Sequence, residues 1–388
     1  MSDSTRPRSF PVRHVLQLRG MSPARRLLEL HRLGIAVPDK EGLLSHTTEA
    51  LATAFDAMIE NAIGAFPVPL GIATNFVMNG EPRLIAMATE ERSVIAAASK
   101  AAKLAEDGIT VTAGKASTRA QILYSGLPDP PAALAKLRQW RGHIEDLLRA
   151  ECNPMAKYGG ELRVEAPRFV PGDRDTLIIV EIDIGTADAM GANVVTRIAE
   201  RAAERLLRLF TDRRPTAVIC CNDEAGFPVA AEATFRVAGG AGQVRKVLDL
   251  QTWAAHDPPR AVTHNKGVMN AVSAIALATG QDTRAIEACV HASAAKSGGY
   301  KPLTTYAAVD DDRVRATLSL RLPIGTVGGA TAHPTAAFCR KLMRVKDAAD
   351  LACLMTAAGL AQNFAALLAL SGEGIPGSHA RLAKQRHP

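Results

Sequence analysis

Aromatic residues make up only 4% of the 388 positions. A core of this size with so few rings must be filled by small aliphatic side chains, and alanine is abundant, so close contacts between helices and sheets are expected. Cysteine is sparse and unpatterned. Cys152, Cys220, Cys221, Cys289, Cys339 and Cys353 include no CxxC pair, and the adjacent Cys220–Cys221 has neither zinc-ligand nor redox spacing. They read as reduced, mostly buried thiols, which points to the cytoplasm. A secretory signal, a repeat and a low-complexity tract are all missing. So is the three-glycine nucleotide fingerprint: "AGGAGQVRK" (238–246) has Gly240 and Gly242 without the third glycine and reads as a loop. One long uncharged run stands out, the 22 residues from Leu351 to Gly372. Its centre, "GLAQN" (359–363), carries polar groups that lipid penalises, so the run is expected to form one long core helix or two short ones and no membrane span.

What is present is ordinary for a globular protein: 47% hydrophobic and 22% charged residues, and a length that favours two or three domains. The net charge is +7, and residues 1–33 hold Arg6, Arg8, Arg13, Arg19, Arg25, Arg26 and Arg32 against Asp3 and Glu29. Such a start can imitate a transit peptide or a nucleic-acid arm. Phe10 is the only aromatic among these arginines, which argues against a stacking surface and for an ordered segment that attracts an anionic ligand. Helices are expected over 21–36, where Ser22 can cap and Pro23 can open the first turn, and over 46–64 and 89–107. Strand signals occupy 120–126, 161–170, 176–184 and 215–222, with helices at 130–152 and 190–210 among them. Strand, helix, two strands, helix, strand is the order of a ferredoxin-like split βαβ sandwich. The expected fold class is therefore α+β: a large, mainly helical domain (1–115 and 223–370) with an inserted ferredoxin-like small domain at 116–222, and a Gly/Pro-rich, then basic, tail at 371–388.

Several short stretches carry chemistry. "DAMGAN" (188–193) lies between a strand and a helix, where free N–H groups can receive an anion, although Asp188 can equally be an ordinary cap. "GTVGGAT" (325–331) follows a strand-like run and allows close backbone approach, or is simply a tight turn. "AMATEERSV" holds Glu90 and Glu91; one of two adjacent helical acids can point inward, where apolar surroundings raise a carboxyl pKa, while both can also merely stabilise a helix start. "HNKGVMNAVSAIALATGQD" (264–282) places Lys266 and Asp282 roughly 24 Å apart if it is one helix. Either the run is broken or each charge finds its partner elsewhere. His379 is followed by only nine residues.

Taken together, "ENAIGAFPVPLGIATNF" (60–76), "MATEERSVIAAAS", "DAMGAN", "HNKGVMN", "ATGQD", "GTVGGAT" and "GLAQN" resemble, in order, the motifs of 3-hydroxy-3-methylglutaryl-CoA (HMG-CoA) reductases, specifically the soluble bacterial class II form. The resemblance runs from about Arg19 to His379. It implies a catalytic quartet of Glu91, Lys266, Asp282 and His379; Glu91 is chosen over Glu90 because the family's glutamate lies two residues before the position of Ser93. It also implies substrate contacts from Arg19, Ser93, Arg260 and Asn270, and a cofactor site on the small domain lined by Asn153, Asp188, Met190, Gly191, Asn193 and Asn222. NADH or NADPH is the implied cofactor, and Asn153, where relatives often carry an acid, favours acceptance of the NADPH 2′-phosphate. HMG-CoA, mevalonate and CoA are the implied ligands, and a homodimer or larger homo-oligomer with its active site at the dimer interface the implied assembly, without nucleic acid or membrane. The reaction implied is reduction of HMG-CoA to mevalonate or its reverse; a homologue that only binds the thioester, for want of the C-terminal lid of which 371–388 would be the stub, is the alternative.

Overall fold

A computed structural model of the chain describes residues 21–32, 55–56, 58–173, 176–210 and 213–372. Arg19, His379 and most of the helix expected at 46–64 lie outside these residues. The chain divides into two units, residues 1–68 and 69–388. In the first, α1 (Pro23–Arg32) starts as its sequence indicates: Ser22 Oγ accepts the Arg25 N–H at 3.4 Å, and proline stands at the first helical position.

The second unit opens with β1 (Leu70–Met78) and β2 (Glu81–Ala88), an antiparallel hairpin closed by Asn79 and Gly80, both at positive φ (49° and 80°) as a type I′ turn requires. There follow α2 (Val94–Leu104), β3 (Thr110–Ala113), β4 (Ser117–Tyr124), α3 (Pro130–Gln139), α4 (Arg141–Cys152), β5 (Leu162–Val164), β6 (Arg168–Pro171), β7 (Thr176–Gly185), α5 (Ala192–Phe210) and β8 (Ala217–Cys220). The rest is β9 (Phe227–Arg236), α6 (Gly240–His256), α7 (Pro258–Ala278), α8 (Thr283–Ala295), β10 (Thr304–Ala308), β11 (Arg313–Leu322), α9 (Pro334–Leu342) and α10 (Ala348–Ser371). Among the described residues there are three antiparallel sheets: the β1–β2 hairpin, β10-β11-β9-β3, and β5-β7-β4-β8 with β6 also paired to β7. The chain is thus mixed helix and sheet.

Four differences from the sequence reading have local causes. The helix expected at 130–152 breaks at Trp140 (φ −95°, ψ 4°), just before Gly142, a poor helix former. The strand expected at 161–170 splits in two around Pro167, which has no N–H for a ladder. Residues 240–246, read as a loop, begin α6 instead, because Gly239 takes the left-handed conformation (φ 111°) and the helix needs no third glycine to start. Finally, the part outside 116–222 is less helical than expected: β1, β2, β3, β9, β10 and β11 all belong to it, and of these only the run before "GTVGGAT" reads as strand-like in the sequence.

The uncharged run at 351–372 is one helix, α10, and it is the core. It packs on α7, α2 and β9, with Phe364 stacked on Phe235 at 4.1 Å between ring centroids. Small residues let the layers meet. A Cβ on Gly359 would lie 3.0 Å from Val268, and one on Gly267 3.3 Å from the Asn363 amide nitrogen. The six cysteines are free; Cys152, Cys289, Cys339 and Cys353 are buried, while Cys220 and Cys221 are half-buried.

Where α7 crosses α10, a buried polar network fixes their register. Asn363 Nδ2 donates to the His264 carbonyl at 2.8 Å. Its Oδ1 accepts from the Thr304 hydroxyl at 3.0 Å and the Tyr306 hydroxyl at 2.8 Å. Thr304 has spent its one proton on Asn363, so in its 2.5 Å contact with His264 Nε2 it must accept. That assigns the proton of His264 to Nε2 and leaves Nδ1 a buried acceptor with no partner among the described residues. Burial, helped by the nearby Arg260 charge, lowers the His264 pKa to about 4. Next to it, Asn265 donates to the Lys301 carbonyl and accepts the Leu303 N–H, each at 2.9 Å.

Two outcomes follow from this network. Thr304→Val, nearly isosteric, strands the His264 Nε2–H and removes a donor to Asn363, so denaturant unfolding is expected to show a loss of about 1–3 kcal/mol, largely recovered in Thr304→Ser. The depressed His264 pKa means that the unfolded chain takes up a proton near pH 6.5 that the folded chain refuses. Its contribution is fully present above that value and is lost as pH falls towards about 4. Unfolding curves over this window should lose on the order of 3 kcal/mol from this group, and His264→Gln, which cannot titrate, should flatten that part of the dependence.

Candidate active site

α7 presents one face to a cleft of about 220 Å³. Lys266, Asn270, Ser273 and Leu277, at helical spacing, form its floor, and the Thr89–Glu91 turn and α8 form its walls. The "HNKG" motif divides its work by direction. His264 and Asn265 are buried and tied to neighbouring elements, Gly267 lets α10 approach, and Lys266 projects into the cleft.

Glu91 meets it there. Lys266 Nζ donates to Glu91 Oε2 at 2.8 Å. The expectation of an inward, desolvated glutamate on a helix is not met. The helix starts only at Val94, so Glu90 and Glu91 sit in the turn between β2 and α2, and the Glu91 side chain is 40% exposed. Its N–H is held by Thr89 Oγ1 at 3.2 Å. The turn ends at Ser93, whose φ of 78° is a left-handed conformation costly for a non-glycine residue. Such a cost of about 1–3 kcal/mol is tolerated where a side chain must be aimed. Asn270, one turn beyond Lys266, lines the same cleft.

Arg260 belongs to the same helix but lies about 9 Å before Lys266 along its axis. It is buried beneath solvent, its guanidinium over the Trp253 ring at 5.5 Å, and no carboxylate among the described residues pairs with it. Burial lowers its pKa.

The structure does not bring Asp282 to Lys266. The 264–282 run is broken: α7 ends at Ala278, and Gly280 turns the chain at φ 68°, where a Cβ would strike the Ala330 carbonyl at 2.5 Å. Asp282 then caps α8, accepting from the Arg284 and Ala285 N–H groups at 3.1 and 3.2 Å and pairing with the Arg284 guanidinium. About 18 Å of helix separates Lys266 from the end of α7.

The glycine motifs gather at that end. Gln281 accepts the Gly325 N–H at 3.0 Å, the Thr326 N–H donates to the Asp188 carbonyl at 2.9 Å, and Ala189 bridges to Val327. Gly325 admits no side chain, since its Cβ would lie 2.5 Å from the Met190 nitrogen. Asp188 is indeed a cap, but of another helix: its Oδ1 accepts the Ala348 N–H of α10 at 2.9 Å. Gly191, at φ 94° against Thr186, precedes α5, whose first turn carries no acid and exposes Asn193. Asn222 is exposed beyond β8. Asn153 is engaged at both ends of its amide, accepting from Met155 N–H at 3.1 Å and donating to the Gly160 carbonyl at 2.9 Å.

One group was missed by sequence reasoning. Ser273 donates to Glu287 at 2.5 Å, Glu287 meets His291 Nε2 at 3.1 Å, and His291 Nδ1 contacts the Tyr300 hydroxyl at 2.5 Å. Ser273, Glu287 and His291 line the same cleft as Lys266 and Glu91. The i, i+4 spacing of Glu287 and His291 was the available signal.

Comparison with known proteins agrees with the motifs. The family model "Hydroxymethylglutaryl-coenzyme A reductase" matches residues 25–384. The 3-hydroxy-3-methylglutaryl-coenzyme A reductase of Archaeoglobus fulgidus is 42% identical over 334 residues, 84% of this chain and 76% of that one. A probable enzyme of the same name from Borreliella burgdorferi is 34% identical over 344 residues, again 84% and 76%. Among solved structures, the class II reductase of Streptococcus pneumoniae bound to NADPH superposes with a TM-score of 0.75 at 29% identity, covering 93% of this chain and 90% of that one. With a family model spanning most of its length and a relative 42% identical over 84% of this chain, the chain belongs to the HMG-CoA reductase family.

Proposed function

We propose that this protein is an NAD(P)H-dependent oxidoreductase that reduces HMG-CoA in two steps to mevalonate and CoA, with the Glu91–Lys266 cleft as its reaction centre. The observation that carries the reading is the 2.8 Å contact of Lys266 with Glu91 on the wall of a cleft that also holds Asn270. Reduction of a thioester carbonyl, and then of an aldehyde, puts negative charge on oxygen each time. An ammonium held at a fixed place stabilises that charge, and a neighbouring carboxyl can hold the proton that the oxygen finally takes. Arg260, buried and without a carboxylate partner among the described residues, suits an anionic part of the substrate.

A dinucleotide fits the start of α5. The first turn of α5 carries no acid, and its N–H groups are unpaired by helix geometry; Gly191, whose Cβ would strike Thr186, lets the preceding loop pack tightly against the helix start. Bound there, NADH or NADPH supplies the hydride; Asp188, Met190 and Asn193 would hold it, with Asn153 and Asn222 nearby. An uncharged residue at 153 puts no negative charge against a 2′-phosphate, which supports use of NADPH. The inserted domain at 116–222 is read as ferredoxin-like, supported by the antiparallel order β5-β7-β4-β8 with α3, α4 and α5 on one face, and the surrounding segments as the substrate domain. Asp282, remote from Lys266 in its own chain, is assigned to the reaction centre of a partner subunit in a homodimer, and His379 to protonation of the departing CoA thiolate. Free cysteines support a reducing compartment, the cytoplasm.

The test is cofactor oxidation with HMG-CoA, run separately with NADH and NADPH. Two cofactors consumed per thioester are expected, with NADPH accepted, and Lys266→Ala should lower kcat by at least about 100-fold. A folded protein that binds HMG-CoA without consuming cofactor would instead be a thioester-binding homologue.

A further inference from the structure

On the reductase reading just given, the cleft needs protons as well as hydrides: each reduction adds a hydride to carbon and a proton to oxygen, or to the sulfur that leaves. One HMG-CoA therefore takes up two hydrides and two protons. Glu91 and Lys266 hold protons at the reacting end but, once used, must be recharged.

From the hydrogen-bonded order Tyr300–His291–Glu287–Ser273 in the cleft wall, we infer that these residues form a proton relay that recharges the reaction centre. The direction of each bond is fixed by what the groups can do. Glu287, as a carboxylate, only accepts, so it receives the Ser273 hydroxyl proton and the His291 Nε2–H. His291 Nδ1 is then the acceptor for the Tyr300 hydroxyl. The ring of Tyr300 also stacks on that of His291, 5.9 Å between centroids, which holds the imidazole plane in line with both partners. Burial raises the Tyr300 pKa, so its hydroxyl stays protonated at neutral pH.

Proton passage balances as follows. A proton from solvent arrives at His291 Nδ1, and the Tyr300 hydroxyl rotates to accept from it. The bond from Nε2 to its proton breaks and the proton passes to Glu287 Oε2, giving neutral imidazole and a neutral carboxyl. Glu287 releases that proton into the cleft, which leaves the starting charge but the opposite imidazole tautomer. A half-turn of the His291 ring about its Cβ–Cγ bond then presents the protonated nitrogen to Glu287 again, with one proton delivered. His291 and Tyr300 are each only partly buried, so the outer end is open to water. The inner end, at Ser273 and Glu287, lies about 10 Å from Lys266 along α7, a span that water in the cleft can bridge. The charged groups facing His291 are Glu287 on its own helix and, across the cleft, Glu90, Glu91 and Lys266. Glu287 and His291 act through the reaction centre, so they are positioning and supply residues.

The experiment compares wild type, Glu287→Gln and His291→Ala at saturating HMG-CoA and NADPH, as full pH profiles in H₂O and D₂O. Both variants should lose about tenfold or more in kcat with KM little changed, and show an enlarged solvent isotope effect. Added imidazole should restore His291→Ala and leave Glu287→Gln unrestored. Glu287→Gln is nearly isosteric and guards against misfolding as the cause. Folded variants whose kcat, pH profile and isotope effect match wild type overturn the relay, as does a His291→Ala defect that imidazole fails to repair. A wild-type protein that consumes no cofactor overturns the reductase reading and the relay together, so the two failures are distinguishable.

Discussion

One buried amide sets the geometry on which the cleft depends. Asn363 sits where α10 crosses α7, and all of its polar atoms are committed: to the His264 carbonyl through Nδ2, and to the Thr304 and Tyr306 hydroxyls through Oδ1. In a dry interior an unmade hydrogen bond of this kind costs more than a made one contributes, so only one register of the two helices satisfies the set. That register brings Gly267 against Asn363 and sends Lys266, between Asn265 and Gly267, to the opposite side of α7. The lysine is exposed, yet its helix is not free to slide or turn.

The cleft is built from that fixed point outward. The hairpin turn at Asn79–Gly80 returns β2 to the Thr89–Ser93 turn, and Arg83, buried in β2, donates to Asp350 at the start of α10 through its two terminal guanidinium nitrogens and to the Met343 and Arg344 carbonyls. The carboxylate of Glu91 and the ammonium of Lys266 are therefore carried by elements anchored to the same core helix. Because the pair is about half-exposed in one chain, water screens it, and its worth to stability is small. On the proposed function its value lies in chemistry, which asks for a site from which water can be removed when substrate covers it.

Legibility of these features in the sequence varied with their range. Motif order and local punctuation read well: Ser22–Pro23 and the glycines of "DAMGAN" and "GTVGGAT" stand at turns or helix starts, and the uncharged run at 351–372 is buried helix, though its sequence left one long helix or two short ones open. Strands of the outer part read poorly, because in "FPVAAEATFR" and "TTYAA" alanines dilute the β-branched and aromatic residues that mark a strand. Pro167 and Gly142 are visible interruptions in the sequence, but how far each breaks its element is set by packing. The two charges of "HNKGVMNAVSAIALATGQD" are resolved by Gly280, a turn signal within a helical pattern. No local pattern could disclose that Asn363 and Thr304, far apart in sequence, would share a hydrogen bond with His264, or that Ser273 and Tyr300 would flank the Glu287–His291 pair. Such contacts depend on long-range packing.

The central claim is that Glu91 and Lys266 of one chain work with Asp282 of another. Mixing and reassembling inactive variants tests it directly. Lys266→Ala mixed with Asp282→Ala should regain up to about a quarter of wild-type activity, since half of randomly reassembled dimers are mixed and each of these has one complete centre. Lys266→Ala mixed with Glu91→Ala should stay inactive, because no centre then has both groups. Recovery in the second mixture, or none in the first despite formation of mixed dimers, would contradict the account.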